Sequence, residues 1–378
     1  MPVKAFGRFI RYSRLLVLAA AAALCGAGAD AEVSIPTFTG ETLPDTDGRH
    51  INAHGGNILL VGDTFYWYGE YRGDGTPGSY QQGVACYSSP DLRDWTFRGL
   101  ALEASADTTS LIRRGCIMER PKVVYCPATG RYVMWFHHEL KGRGYGAAMA
   151  GVAVSDTPEG PFEYRASSRV NAGIAPLNMP SENLLKAYSD TLEWWTPDWY
   201  AAVADGMFAA RDLAGGQMAR DMTVFVDPAT GQAYHIYSSE ENLTLHIAEL
   251  DSTFERHTGR YIRIFPGGHN EAPAIFRHGG KYWMITSGCT GWDPNEARLM
   301  CADSVMGRWT QLPNPCRGPM AGTTFGGQGT YVFTLGDQYV FMADRWNPKM
   351  LSDSRHLWLP VRFDENDTPF IPWPEDRN

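Results

Sequence analysis

Five segments of this chain repeat one pattern: a short apolar run, a turn carrying Gly or Asp, and a second run built around Tyr. They are Ile58-Leu59-Leu60 to Tyr66, Val123-Val124-Tyr125 to Tyr132, Val224-Phe225-Val226 to Tyr234, Ala274-Ile275-Phe276 to Tyr282, and Tyr331-Val332-Phe333 to Tyr339. Each reads as a β-hairpin. Four are followed by a third strand: Gly83 to Ser89 before Trp95, Gly151 to Asp156 before Phe162, Leu245 to Leu250 before Phe254, and Leu299 to Ser304 before Trp309. The fifth copy, Leu357 to Phe363, is looser. Small sheets that cannot each bury both faces alone pack radially, so the repeat predicts an all-β fold, a five-bladed β-propeller. Abundant turn residues, 40 Gly and 24 Pro, with 12% aromatics, fit that architecture and disfavour a helical bundle.

The repeat also predicts a site. Counting back from each hairpin tyrosine by 11 to 13 residues gives His54, Glu119, Asp221, Glu271 and Gln328. The first strand of each blade lines the propeller axis, so these five polar groups should converge at one mouth of the channel. Any one of them is equally well explained as satisfying a turn or pairing with a neighbour, as Glu119 beside Arg120 or Asp221 beside Arg220. Five together are not, because gathering acids in one cavity is unfavourable unless they are used. Two carboxylates in an aromatic-lined pocket are what glycoside hydrolysis needs, one protonated to assist the leaving oxygen and one group to activate water.

Residues 1–31 read as an export signal, with Lys4, Arg8, Arg11 and Arg14 preceding the apolar stretch Leu15 to Leu24 and small residues near Ala29 and Ala31. That stretch is too short to span a membrane. The remainder, 32–378, is expected to be one catalytic domain, exported to the periplasm or medium and monomeric. A net charge of −9 with no basic patch excludes nucleic acid as a partner. Six cysteines remain after the signal, none at metal-ligand spacing, and they read as buried free thiols. Residues 166–219 interrupt the repeat, with a helix expected over 184–206. The cluster Trp194, Trp195, Trp199 and Tyr200 in it serves either as an anchor for the insertion or as a sugar-stacking wall.

Several motifs in order, Asp45-Thr46-Asp47-Gly48, Ile51-Asn52-Ala53-His54-Gly55-Gly56, Tyr66-Trp67-Tyr68-Gly69-Glu70, Glu119-Arg120-Pro121-Lys122, Arg220-Asp221-Met222-Thr223, Glu271-Ala272-Pro273-Ala274, Ser287-Gly288-Cys289-Thr290-Gly291-Trp292 and Gly326-Gly327-Gln328, resemble glycoside hydrolase family 43, in the branch that includes exo-β-1,3-galactanases. The resemblance spans the chain after the signal. It implies inversion of configuration and release of single terminal sugars, most readily β-galactosyl units of plant-type arabinogalactan. It implies Glu271 as general acid, Glu119 as the group that holds and orients it, and Gln328 facing the attacking water. Asn52, His54, Glu70, Asp221, Trp292 and Arg345 would contact substrate. Most of that family carries an aspartate base where this chain has Ala53-His54-Gly55-Gly56. A glutamine amide has no useful basicity, so Gln328 acts through its imidic tautomer or by positioning water, with Glu70 and Asp47 as the other carboxylates for the role. No metal site is assigned and no cofactor is required, while a structural hub cation such as calcium near His54 stays open. An α-L-arabinofuranosidase, a β-galactofuranosidase or a β-xylosidase would use the same scaffold. A carbohydrate-binding propeller without activity would have no need of Glu119 and Glu271.

Overall fold

The computed structural model describes residues 34–73, 81–188 and 191–374. The export signal lies outside them. After a two-residue strand β1 (Phe38–Thr39), the chain lays down β2 (His54–Val61), β3 (Thr64–Arg72), β4 (Gln81–Ser89) and β5 (Thr96–Glu103) as one antiparallel sheet. A second follows with β6 (Ile117–Cys126), β7 (Arg131–Glu139), β8 (Met149–Ser155) and β9 (Glu163–Ser168). The third has β10 (Met222–Val226), β11 (Ala233–Ser239), β12 (Thr244–Leu250) and β13 (His257–Ile264), and the fourth β14 (Glu271–His278), β15 (Lys281–Ser287), β16 (Arg298–Ala302) and β17 (Thr310–Leu312). Beyond β18 (Cys316–Arg317), the fifth has β19 (Gln328–Leu335), β20 (Gln338–Arg345) and β21 (Arg355–Pro360). Its outer strand is β1, with Phe38 opposite Trp358, so the N-terminal strand completes the fifth sheet.

The fold is an all-β propeller, with one difference from expectation. Six sheets are present where the repeat predicts five, because β23 (Pro369–Pro372) pairs with both β18 and β22 (Arg362–Phe363), forming a small sheet of three strands. Strands of two to four residues are too short to carry the apolar-turn-Tyr pattern, so nothing in the periodicity announces them.

The apolar side chains pack in the seams between neighbouring sheets. Val84, Met118, Val123 and Phe136 join the first and second sheets, and Val152, Val224, Tyr237 and Ala248 the second and third. Ile247, Ile275 and Met284 join the third and fourth, and Phe276, Val332 and Phe341 the fourth and fifth. The closing seam is aromatic instead. There Trp67 packs edge-on against Trp95 and tilted against Trp358, at centroid distances of 5.3 and 4.8 Å. Four of the six cysteines, Cys86, Cys116, Cys126 and Cys316, are buried, as free thiols; Cys301 is half-buried and Cys289 is exposed, which corrects the expectation for those two.

The insertion is less helical than its composition suggests. Its main helix, α1 (Pro197–Asp205), starts only where Thr196 accepts the Trp199 amide at its hydroxyl and Pro197 occupies the first helical position. It stops at Gly206, whose φ of 101° suits glycine, and α2 (Met207–Arg211) follows at once. Trp199 is buried with Val203, Phe208 and Leu243, which makes it an anchor, whereas Trp194, Trp195 and Tyr200 remain partly exposed. No helix among the described residues is long and apolar enough to cross a membrane.

Candidate active site

Glu119, Asp221, Glu271 and Gln328 do converge. They line one pocket of about 320 Å³ with Glu70, Arg120, His137, Tyr145, Arg220, Asn242, Cys289, Trp292 and Trp346. A recurrent backbone device aims two of them. In the second and fourth sheets the residue after the hub position, Arg120 or Ala272, takes a left-handed φ of 53° or 51°, and the strand register slips there. Such a bulge re-aims the side chain before it toward the axis. The first sheet carries the same bulge at Gly55, with a φ of 66°, yet its outcome differs.

His54 is fully buried away from the pocket, with Nδ1 3.1 Å from Asp344 Oδ1 and its ring stacked on His356. The residue across the ladder from it, Glu70, takes the hub position instead. Asn52 is likewise not at the pocket: its side chain bonds the carbonyl and amide of Arg72, pinning the end of β3. Arg345 turns outward to the carbonyls of Phe325 and Thr39, and its neighbour Trp346 enters the pocket. The expected sugar contacts at His54, Asn52 and Arg345 are thereby corrected. Asp47 is exposed and paired with Arg49, so it leaves the set of carboxylates near the reaction.

The pocket carboxyls differ in their surroundings. Burial would raise Glu119, but His137 with Nδ1 at 3.4 Å, Arg72 at 3.2 Å and the Tyr145 hydroxyl at 2.9 Å outweigh it and hold the group down to about 2. His137, lying between Glu119 and Glu139, rises to about 9, burial being outweighed by the two carboxylates. Glu271 goes the other way. Burial and the nearby Asp221 raise it to about 7, against donors Asn242 Nδ2 at 2.7 Å and Cys289 Sγ at 3.1 Å, both on Oε1. Glu70 is also raised by burial, opposed by Arg72 and aided by the Glu119 charge. It accepts from the Arg120 amide at 3.0 Å.

Arg120 ties the acids to Gln328. Its Nη2 lies 3.1 Å from Asp221 Oδ2 and donates to Gln328 Oε1 at 2.5 Å. Trp346 Nε1 donates to the same oxygen at 3.0 Å, and Gln328 Nε2 donates to Ser287 Oγ at 2.9 Å. Arg72, Arg120, His137, Tyr145, Asn242, Cys289 and Trp346 are pocket or supporting groups that the repeat register does not reach. Of these only Arg120 and Cys289 sit inside a motif the sequence brings forward.

A calcium ion does not fit the surroundings of His54. Such an ion takes six to eight oxygen ligands, whereas His54 and His356 offer ring nitrogens and the two Asp344 oxygens are already engaged by those rings and by the Gly55 amide. The hub is already filled by donors: Lys122, fully buried and lowered to about 7 by burial and by Arg120, donates to the carbonyls of Gly55 and Arg120, and Arg120 donates to that of Gly329.

Comparison with protein-family models and with curated proteins gives no match. Solved structures do match. A family 43 β-1,3-galactosidase, BT3683, seen with galactodeoxynojirimycin, is 57% identical, over 90% of this chain and 99% of that one, with a TM-score of 0.86. The exo-β-1,3-galactanase 1,3Gal43A of Clostridium thermocellum is 34% identical, over 89% of this chain and 64% of that one, with a TM-score of 0.71. An exo-β-1,3-galactanase of Phanerochaete chrysosporium, seen with β-1,3-galactotriose, is 31% identical, over 88% and 66%, with a TM-score of 0.69. An α-L-arabinofuranosidase of Clostridium thermocellum, 17% identical at a TM-score of 0.54, shares the fold. With these likenesses added to a pocket that gathers Glu119, Asp221, Glu271 and Gln328, the chain belongs to glycoside hydrolase family 43.

Proposed function

We propose that this protein is an inverting exo-β-1,3-galactosidase that removes single terminal galactosyl residues from galactan chains. The observation that carries the reading is the pair Glu119 and Glu271 in one pocket, the first bonded by Arg72 and Tyr145 with His137 beside it and the second buried beside Asp221, surroundings that push the two carboxyls in opposite directions. Glu271 donates the proton to the leaving oxygen. Glu119, expected to hold and orient Glu271, is engaged instead by Arg72, Tyr145 and His137, and Asp221 is the carboxylate that acts on Glu271; Glu119 then stays ionised and fixes Tyr145 and His137 beside the sugar. Gln328 faces the attacking water, Asp221 and Glu70 take sugar hydroxyls, and Trp292 and Trp346, packed edge-on at 5.4 Å, offer an aromatic wall. A pocket near 320 Å³ lies at the small end of ligand sites, roughly 300 to 1,000 Å³, which favours one terminal sugar over a run of them. The galactose-type ligands named with the similar structures support the choice of sugar over arabinose or xylose. Export completes the proposal, supported by the basic and apolar pattern of residues 1–31.

Proton NMR of the first product tests the stereochemistry. The α-anomer of galactose should appear first from a β-linked substrate, because water held at Gln328 attacks the face opposite Glu271. Early release of the β-anomer would overturn the mechanism.

Gly55 gives a second test. An added Cβ there would sit 2.5 Å from Glu70 Oε1, on a backbone whose φ of 66° already favours glycine. Gly55→Ala should cost more than about 1 kcal/mol in thermal or denaturant unfolding. It should also raise KM for galactosides, since Glu70 must leave its place on the Arg120 amide. An unchanged KM would remove Glu70 from the sugar contacts.

A further inference from the structure

The insertion has a second consequence at the site. Glu240, Glu241 and Asn242, the turn between β11 and β12, take left-handed φ values of 54°, 58° and 62° in succession. None is glycine, and such residues persist there only when their surroundings over-determine them. The insertion supplies that constraint together with Arg263 of β13 and with Thr244 and His246 of β12, which meet the Glu240 carboxylate at 3.1 and 2.8 Å. Glu240 is buried against Arg263, which donates to both its carboxylate oxygens at 2.5 and 2.7 Å. The same guanidinium caps the end of α1, donating to Val203 O at 2.8 Å and Ala204 O at 3.2 Å, where a helix C-terminus favours a cation. Glu241 is held by Arg211 of α2 at 2.9 Å. Leu243 is buried in the insertion's own cluster with Trp199, Val203 and Phe208.

Between these anchored neighbours Asn242 points into the pocket. Its Oδ1 accepts from Arg220 at 3.4 Å and its Nδ2 donates to Glu271 Oε1 at 2.7 Å. Arginine only donates, so the amide is fixed with its N–H toward the carboxyl. Cys289 donates to the same Oε1. With two donors on one oxygen, the proton to be transferred belongs on Oε2.

We propose that the insertion is a positioning device for the proton donor: it clamps residues 240–243 in a left-handed turn so that Asn242 pins Glu271 Oε1 and presents Oε2 to the glycosidic oxygen. Asn242, Glu240 and Arg263 are positioning residues in this scheme. The proposal rests on Glu271 being the general acid.

The test is the pH profile of kcat on unactivated β-1,3-galactobiose. Asn242→Gly keeps a residue that tolerates the turn but removes the donor to the carboxylate. The alkaline limb should move up by about one pH unit, since a donor that favours the charged form is gone. At the optimum kcat should fall on the order of 10-fold with KM changed less than about twofold, as expected for a misplaced acid. Asn242→Asp, matched in shape and tolerant of the same backbone, should move the limb upward further by placing a carboxylate against Glu271. Glu240→Gln, which weakens the Arg263 clamp, should reproduce the Asn242→Gly profile in part. If both Asn242 variants fold and leave the limb where the wild type has it, the proposal is overturned. A moved limb in the Asn242 variants with an unmoved one in folded Glu240→Gln would overturn the clamp. The charged groups acting on Glu271 are Asp221 and Arg120, and the pocket also holds Glu70 and His137, raised to about 7 and 9. The profile of Glu271→Gln, read on the disaccharide and on an aryl galactoside with an acidic phenol, separates the levels: a limb that depends on the leaving group and persists there refutes Glu271 as the acid, whereas such a limb that vanishes there but ignores Asn242 refutes only the positioning role.

Discussion

Glu271→Gln should lower turnover of unactivated β-1,3-linked galactose disaccharides by roughly 100- to 10,000-fold, the range of a general-acid contribution. An aryl galactoside with an acidic phenol should lose far less, because its leaving group departs without a proton. The contrast between the two substrates identifies the step. The substitution is conservative in this pocket, since the new amide oxygen still accepts from Asn242 Nδ2 and Cys289 Sγ, the two donors on Oε1. The wild-type pH dependence has a matching sign. Burial, with Asp221 beside it, raises Glu271 to about 7, so the proton donor is present below that pH and is lost as pH rises through it. Glu119, held near 2, stays ionised across the same window and contributes no limb of its own there. Glu70, raised to about 7 by burial, and His137, raised to about 9, still titrate in Glu271→Gln, so the limb that should disappear is the one seen on the unactivated disaccharide and weak on the aryl galactoside, where no proton is needed. Wild-type rates on the disaccharide would place the acid elsewhere.

The repeat made four of the five hub positions legible, because a propeller converts a fixed offset from each hairpin tyrosine into a fixed place around one axis. It failed at His54 for a local reason. With Gly55 at that bulge the first strand turns its histidine toward Asp344, and Glu70 across the ladder moves in. Resemblance, rather than register, was what pointed to Glu70. Arg345 missed by one position, since past the end of β20 it is the next residue, Trp346, that reaches Gln328. Tyr145 and Asn242 carry no signal at all in the sequence, since both sit on connections whose course is set by tertiary packing. For Asn242 that packing comes from the insertion, whose aromatic residues read as an anchor or a sugar wall but gave no hint of Arg263 and Glu240. The sixth sheet was invisible because its strands are too short for any period.

Gln328→Ala should reduce turnover by roughly 100- to 1,000-fold, the scale of losing one preorganised polar group at a reacting centre. Binding of galactodeoxynojirimycin should change little, the pattern of an interaction made mainly in the transition state. The hydrogen bonds around Gln328 explain how it acts. Arg120 and Trp346 can only donate, and both donate to Oε1, so that oxygen has no lone pair left for a water. An imidic tautomer would carry a hydroxyl there, facing two donors, so the network favours the amide. One N–H of Nε2 goes to Ser287 Oγ. In the proposed mechanism the other N–H holds the attacking water, and the water's proton passes to Glu70, the remaining base carboxylate in the pocket, rather than to Gln328. Arg120 keeps Asp221 and the Gly329 carbonyl as partners in the alanine variant, so the pocket should survive the substitution. Near-normal turnover would transfer the role to Glu70, and Glu70→Gln would be the variant to measure. A loss of inhibitor affinity as large as the loss of rate would instead make Gln328 a ligand of a sugar hydroxyl. Azide with Gln328→Gly gives the most direct readout: the small anion should occupy the vacated space, attack the anomeric carbon as Glu271 protonates the leaving oxygen, and yield α-galactosyl azide from a β-linked substrate.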